Sequence, residues 1–288
     1  MATLKQIRGR IRAAKNIQQI TKAMKLVAAA RLKKATDRVI EARPYSEKMR
    51  ELMASISSAG DLPSHPLMEK RPQNRICLIL ITSDRGLAGS YNGALIRKAS
   101  DFIKEQTAEV RLLTVGKKGT QFFSKRGFDV AHSLQVPSAG ARLQDAIEVA
   151  KVSRDLFESG NVDGIYVCYS KFYSAIRQTP QIVQLLPIEP PKAKPGESAS
   201  ASVNYSFEPD PAGLLSTLLP RYFLTLVWQA LLEGTASEFG ARMTAMTSAT
   251  DNAGKMIQKL TLTANRERQA AITKEILEVV GGAEALKS

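Results

Sequence analysis

Three groups of residues in this chain have types and spacings from which chemistry could be built. The first is the turn SDRGLAGSYNG (83–93), which follows an apolar run of strand length and precedes an amphipathic stretch, where a dinucleotide-binding loop would lie. Its glycines, Gly86, Gly89 and Gly93, are spaced G-x-x-G-x-x-x-G. They lack the G-x-G that lets backbone approach a pyrophosphate, so a tight strand-to-helix turn is expected instead. The second group is GKKGT (116–120), which lacks the G-x-x-x-x-G-K-[ST] frame of a phosphate loop. The third comprises the scattered reactive side chains. His65 and His132 are isolated, and Cys77 and Cys168 lie far apart inside the apolar runs ICLILI and GIYVCYS. No C-x-x-C, H-E-x-x-H or Ser, His and carboxylate grouping stands out. The expectation is no catalytic residue, no cofactor and no metal, with the cysteines as small buried hydrophobes of a reducing compartment. No loop that would hold a nucleotide is therefore expected in the chain itself.

The elements around these residues are more informative. Apolar or alanine side chains recur at Leu4, Ile7, Ile11, Ala14, Ile17, Ile20, Met24, Ala28, Leu32, Ala35, Val39 and Ala42, with no proline before Pro44. A step near 3.5 residues is a coiled-coil seam, and it predicts a helix from residue 3 to about 57, stopped by SSAGDLPSHP (57–66). A second seam starts near Pro211 and runs through Leu215, Leu219, Tyr222, Leu226, Ala230, Ala236, Phe239, Met243, Met246, Ala253, Ile257, Leu260 and Ala264 to Ile272, Ile276 and Val280. Between them the period changes. Strands are expected at 75–82, 109–115, 164–171 and 181–186, with helices near 94–105, 120–126 and 142–159 and a short segment of unassigned type at 129–134, an alternation that argues a small open α/β sheet with helices on its faces. The domain plan is therefore residues 1–57 and 210–288 as one shaft, 70–190 as an α/β domain, and 191–209, rich in Pro, Ser, Ala and Lys, as a mobile surface loop.

At 1.5 Å per residue the second helix would span roughly 110 Å and the first roughly 80 Å. Paired antiparallel, they would leave an overhang of about 30 Å that still bears Ile272, Ile276, Leu277, Val279 and Val280. So much apolar surface on one helix calls for another protein to hold it.

Charge is uneven. The first 50 residues hold 14 Lys and Arg against Asp37, Glu41 and Glu47, which is +11 of the chain's +14, whereas residues 210–288 are neutral. A basic helix could bind nucleic acid, but Arg8, Arg12, Lys15, Lys22, Lys25, Arg31, Lys34 and Arg38 are spread along the seam rather than blocked ahead of it, and Tyr45 is the segment's one aromatic. A solvated face or a charged collar facing acidic protein surfaces fits better. The rival readings are a free-standing nucleic-acid-binding coiled coil and an α/β enzyme. The Arg-rich start is read as mature structure rather than a transit peptide, because the seam runs far past a cleavage point. The most apolar stretch, LLSTLLPRYFLTLVWQALL, is broken by Pro220 and Arg221, so no membrane span is expected.

Four segments are specific enough to suggest a family: IRGRIRAAKNIQQITKAMKLVAAARLKKA (7–35), SDRGLAGSYN (83–92), FEPDPAGLLSTLLPRYF (207–223) and ASEFGARMTAMTSATDNAGKMIQKLTLTANRERQAAITKEILEVVGGAEAL (236–286). In order and over nearly the whole chain, the sequence resembles the gamma subunits of rotary F-type ATP synthases. The resemblance implies a left-handed antiparallel coiled coil of the terminal helices and a central open, Rossmann-like α/β domain. It also implies a central rotor without an active site or cofactor, turning inside a ring of alpha and beta subunits. The epsilon subunit and the membrane c-type rotor ring would be its other partners, on the cytoplasmic face of a bacterial inner membrane. Carried over by position, Lys22, Met24 and Lys25 would face the lower part of a beta subunit. Arg268, Gln269, Thr273 and Glu275 would face the catch loops and inner sleeve, and Tyr205, Phe207 and Glu208 would lie at the foot near the ring. Two positions depart from the family pattern: Ala88 stands where Cys is frequent, and Pro220 where a basic residue is common. The cysteine-bearing insertion of photosynthetic homologues is absent, so the resemblance does not extend to thiol regulation.

Overall fold

The computed structural model describes residues 3–58, 65–189 and 211–285. Among the described residues two long helices, α1 (Leu4–Ser58) and α5 (Pro211–Ala285), bracket a short 3-10 turn (Pro66–Met68), five strands and three shorter α-helices. The strands and shorter helices are β1 (Arg75–Ile81), α2 (Tyr91–Glu105), β2 (Glu109–Val115), α3 (Lys117–Ser124), β3 (Val130–Leu134), α4 (Leu143–Glu158), β4 (Gly164–Phe172) and β5 (Gln178–Leu186). Both long helices pass through a proline, Pro44 in α1 and Pro220 in α5. Pro44 is exposed, so water can satisfy the Ile40 carbonyl that it leaves without a donor. The expected mobile loop at 191–209 lies outside the described residues.

The chain divides into two compact units, Met1–Val27 with Met243–Ser288, and Ala28–Arg242. In the larger unit the sheet order is β3-β2-β1-β4-β5, the first four strands parallel and β5 antiparallel at the edge. Strand β1 is buried on both faces, as expected of a central parallel strand. Its pleat sorts side chains between two cores. Cys77, Ile79 and Ile81 join Phe157 of α4, Met49 and Met53 of α1 and Leu215, Leu219 and Phe223 of α5. Leu78 and Leu80 join Leu95 of α2 and Phe123 of α3. The two cysteines consequently belong to separate cores, Cys77 in the first and Cys168 in the second, and both are free thiols.

In the smaller unit α1 and α5 run antiparallel, the Thr250 hydroxyl donating to the Thr21 hydroxyl at 2.9 Å and Gly254 lying against the Gln18 amide. The larger unit keeps the same register, with the Arg31 guanidinium over the Phe239 ring at 5.9 Å. At these three contacts the partner residue numbers add up to 270–272. On α1 the inward side chains recur every seven residues at Ile7, Ala14, Thr21, Ala28, Ala35, Ala42, Met49 and Ile56, the pattern of a left-handed supercoil.

Candidate functional site: helix faces and the domain staple

That repeat corrects the sequence-based phase of the first seam. Ile17 and Ile20, expected inside, are 53% and 59% exposed, and Met24 is half-buried. Gln18, Thr21 and Lys25 occupy the inward positions instead. Alanines at 14, 28 and 35 let the two backbones approach closely and hold the phase on either side of this polar stretch. The Thr21 hydroxyl, besides accepting from Thr250, lies within hydrogen-bonding distance of the Ile17 and Gln18 carbonyls, so its burial leaves nothing unsatisfied. The consequence is an apolar stripe on the outer face: Ile17, Ile20, Met24 and Val27 stack at helical spacing, with Leu26 beside them.

A second uncovered surface lies at the far end of α5. The inward positions Met246, Thr250, Ala253, Ile257, Leu260 and Ala264 keep the expected spacing up to half-buried Glu267, which the register places across from the start of α1. Every residue from 268 to 282 is exposed. Ile272, Ile276, Leu277, Val279 and Val280 stand 48–72% accessible, as the sequence seam predicts for an overhang rather than for a pair.

The residues singled out from sequence fall on these faces. Lys22 is exposed, Met24 is half-buried within the first stripe and Lys25 half-buried at the neighbouring inward position; Arg268, Gln269, Thr273 and Glu275 are exposed on the second. The structure does not bring the two sets together, since the register separates Lys22 from Arg268 by about 28 Å along the helix axis. Tyr205, Phe207 and Glu208 lie outside the described residues.

In the larger unit the turn 83–90 does not form a phosphate cradle. Asp84 accepts from the Lys117 amide at 2.9 Å and the Thr82 hydroxyl accepts from the Gly119 amide at 2.9 Å, so side chains of the chain itself occupy the N-terminal donors of α3. The turn serves as a staple to α5. The Arg242 guanidinium donates to the Arg85 and Gly86 carbonyls at 3.3 and 3.4 Å while pairing with Glu238 at 2.6 Å. Nearby, the Tyr91 hydroxyl donates to the Gly234 carbonyl at 2.9 Å and the Ser237 hydroxyl to the Ser170 carbonyl at 2.8 Å. Burial pushes the Glu238 carboxyl above its ordinary range, against the opposing pull of Arg242. Sequence reasoning missed this staple, because its partners are separated by up to 157 positions and only the sheet topology joins them.

Among the described residues no cluster of His, Cys, Asp and Glu could hold a metal ion, and no helix is long and apolar enough to cross a membrane. Burial pushes both thiols up to about 12.

Comparison with known proteins gives a consistent picture. A family model described as ATP synthase matches residues 3–286. The chain is 47% identical to the ATP synthase gamma chain of Desulfitobacterium hafniense and 44% identical to that of Pelotomaculum thermopropionicum, each match covering all of both chains. Its fold is similar to a chain in the mitochondrial ATP synthase of Euglena gracilis, with a TM-score of 0.72 at 19% identity, covering 98% of this chain and 94% of that one. A chain of the central stalk and c-ring of Tetrahymena thermophila mitochondrial ATP synthase matches 80% of this chain and 99% of its own length, with a TM-score of 0.58 at 25% identity.

Proposed function

The chain belongs to the ATP synthase gamma-chain family, and from that premise we propose that it is the rotating shaft coupling proton flow through a membrane ring to ATP synthesis or hydrolysis in a surrounding alpha/beta ring, with no active site of its own. The observation that carries the reading is the pair of uncovered apolar faces on the smaller unit, Ile17 to Val27 on α1 and Ile272 to Val280 on α5. Side chains this apolar stay exposed at a cost unless a partner covers them.

The mechanism follows from linkage. A shaft whose faces differ presents another face to each catalytic subunit of a threefold ring, so each state of a nucleotide site has its own contact free energy with the shaft. Turning the shaft changes nucleotide affinity, and hydrolysis in the ring turns the shaft. Basic side chains interleaved with the apolar stripe suit contacts that must be exchanged, because solvated ion pairs are worth little individually and bind no orientation irreversibly. The α5 staple couples the α/β domain to the helix that turns.

In this reading Lys22, Met24 and Lys25 meet the lower part of a beta subunit. Arg268, Gln269, Thr273 and Glu275 meet the inner sleeve, and Tyr205, Phe207 and Glu208 the foot beside the c-type ring. Residues 1–57 and 210–288 act as one shaft, and 70–190 as the domain outside the ring that also receives the epsilon subunit. The complex sits on the cytoplasmic face of a bacterial inner membrane.

Truncation after Asn265 tests the proposal. The shortened chain should assemble or couple poorly in the reconstituted complex while the α/β domain stays folded, reported by the fluorescence of Trp228, which packs against the first core. Full-strength coupled synthesis by the truncated rotor would remove the tip from the mechanism.

A further inference from the structure

An open pocket of about 510 Å³ in the larger unit, framed by α1, the end of β4 and α5, has no part in the rotor reading. Its lining contains three cations, Arg43, Arg50 and Lys171, with Phe172 and Tyr173 beside them. Arg43 and Arg50 are seven residues apart on α1 and so project from one face, while Lys171 approaches from the sheet. Among the described residues none of the three cations is held in an ion pair. Two carboxylates also line the pocket. Glu233 is buried and turned to internal donors, accepting from the Phe172 amide at 3.4 Å and the Gln229 amide at 3.1 Å. Glu47 is exposed, leaving the cations in excess at the mouth. Tyr173 is half exposed with Lys171 Nζ 5.6 Å and the Arg177 guanidinium 5.0 Å from its ring centroid, so a fourth cation and an aromatic face border the site.

We propose that this pocket binds a polyphosphate group. Arginine forks match phosphate oxygens, and cations arriving from two elements suit a chain of phosphates better than one tetrahedral anion, which would fill a small part of the volume. The concave shape and its size favour a small ligand over a duplex or a folded protein. Two sources carry the same chemistry, a nucleoside triphosphate and inorganic polyphosphate, and they differ in whether a base rests on Tyr173. The inference is independent of the rotor reading, since it concerns a different face and is tested on the isolated full chain.

Calorimetric titration of the full-length chain with ATP and, separately, with inorganic tripolyphosphate should show saturable one-to-one binding that weakens as salt rises. Arg43→Gln with Arg50→Gln should lower affinity about tenfold or more, since two charge-assisted contacts are lost. Arg97→Gln with Lys98→Gln, which removes the same charge from the exposed face of α2, should leave it within about twofold. Tighter binding of ATP than of tripolyphosphate, abolished by Tyr173→Ala, identifies the nucleotide as the ligand; equal binding identifies the phosphate chain. Absence of saturable heat with both ligands, or an equal loss in the two charge-matched variants, overturns the proposal. Unchanged Trp228 fluorescence in each variant confirms that the fold is intact.

Discussion

Replacing Arg242 by methionine should reveal how strongly the turn 83–90 is tied to α5. Arg242 is 9% exposed and its partner Glu238 lies 2.6 Å away, while the guanidinium also donates to two carbonyls at 3.3 and 3.4 Å. Methionine keeps most of the apolar volume but leaves the buried Glu238 without its ion-pair partner, with only the more weakly acting Arg31 to oppose its charge, a loss of about 3 kcal/mol. The double variant Arg242→Met with Glu238→Gln removes that charge as well, leaving only the two long carbonyl bonds lost, about 1 kcal/mol. The double variant should therefore be about 2 kcal/mol more stable than Arg242→Met alone. pH sharpens the test. Glu238 already has a raised carboxyl value because it is buried, and removing Arg242 takes away a pull in the opposite direction, so the single variant's deficit should shrink as pH falls and the acid takes up a proton, and grow as pH rises and it ionises. Urea unfolding followed by Trp228 fluorescence at pH 5 and pH 7.5 measures both effects. A double variant no more stable than the single one, with a deficit independent of pH, would refute the buried-pair argument.

Gly116 has φ of +95° and a Cβ there would sit 2.2 Å from the Thr82 carbonyl oxygen, so Gly116→Ala should cost about 2–4 kcal/mol in urea unfolding, and a neutral result would show that the turn is not packed as described. Cys77 and Cys168 should resist a thiol reagent at pH 8 in the native chain and react on unfolding; because both values are raised from 9.0 to about 12, their contribution to stability is full below pH 9 and fades only toward pH 12. In the exposed tip, Gly281 and Gly282 have nothing within 4 Å of an added Cβ, so Gly281→Ala with Gly282→Ala should stabilise the overhanging helix by about 1 kcal/mol per site, read as slower amide exchange in the isolated chain.

Much of this architecture is written in near neighbours. The strand β1 is an unbroken apolar run, the glycine turn after it ends in α2 as expected, and the seam Met246 to Ala264 keeps its spacing with Ala253 and Ala264 inward. Helix and strand periods depend on side chains a few positions apart, so the sequence carries them directly. The overhang was also legible, because unequal helix lengths paired from one end must leave a remainder. The inward phase at residues 17–25 was not, since counting apolar residues rewards Ile17 and Ile20, whereas close approach at Ala14 and Ala28 and the meeting of Thr21 with Thr250 put them outside. Nor could the sequence announce that Arg242 would find the carbonyls of Arg85 and Gly86, or that Arg43, Arg50 and Lys171 would share a pocket. Those groupings join residues more than a hundred positions apart, and only the strand order and the antiparallel register of the terminal helices set such distances. The sequence alone determined periodicity, helix lengths and charge; the tertiary structure decided phase, staple and pocket, because these depend on which distant surfaces meet.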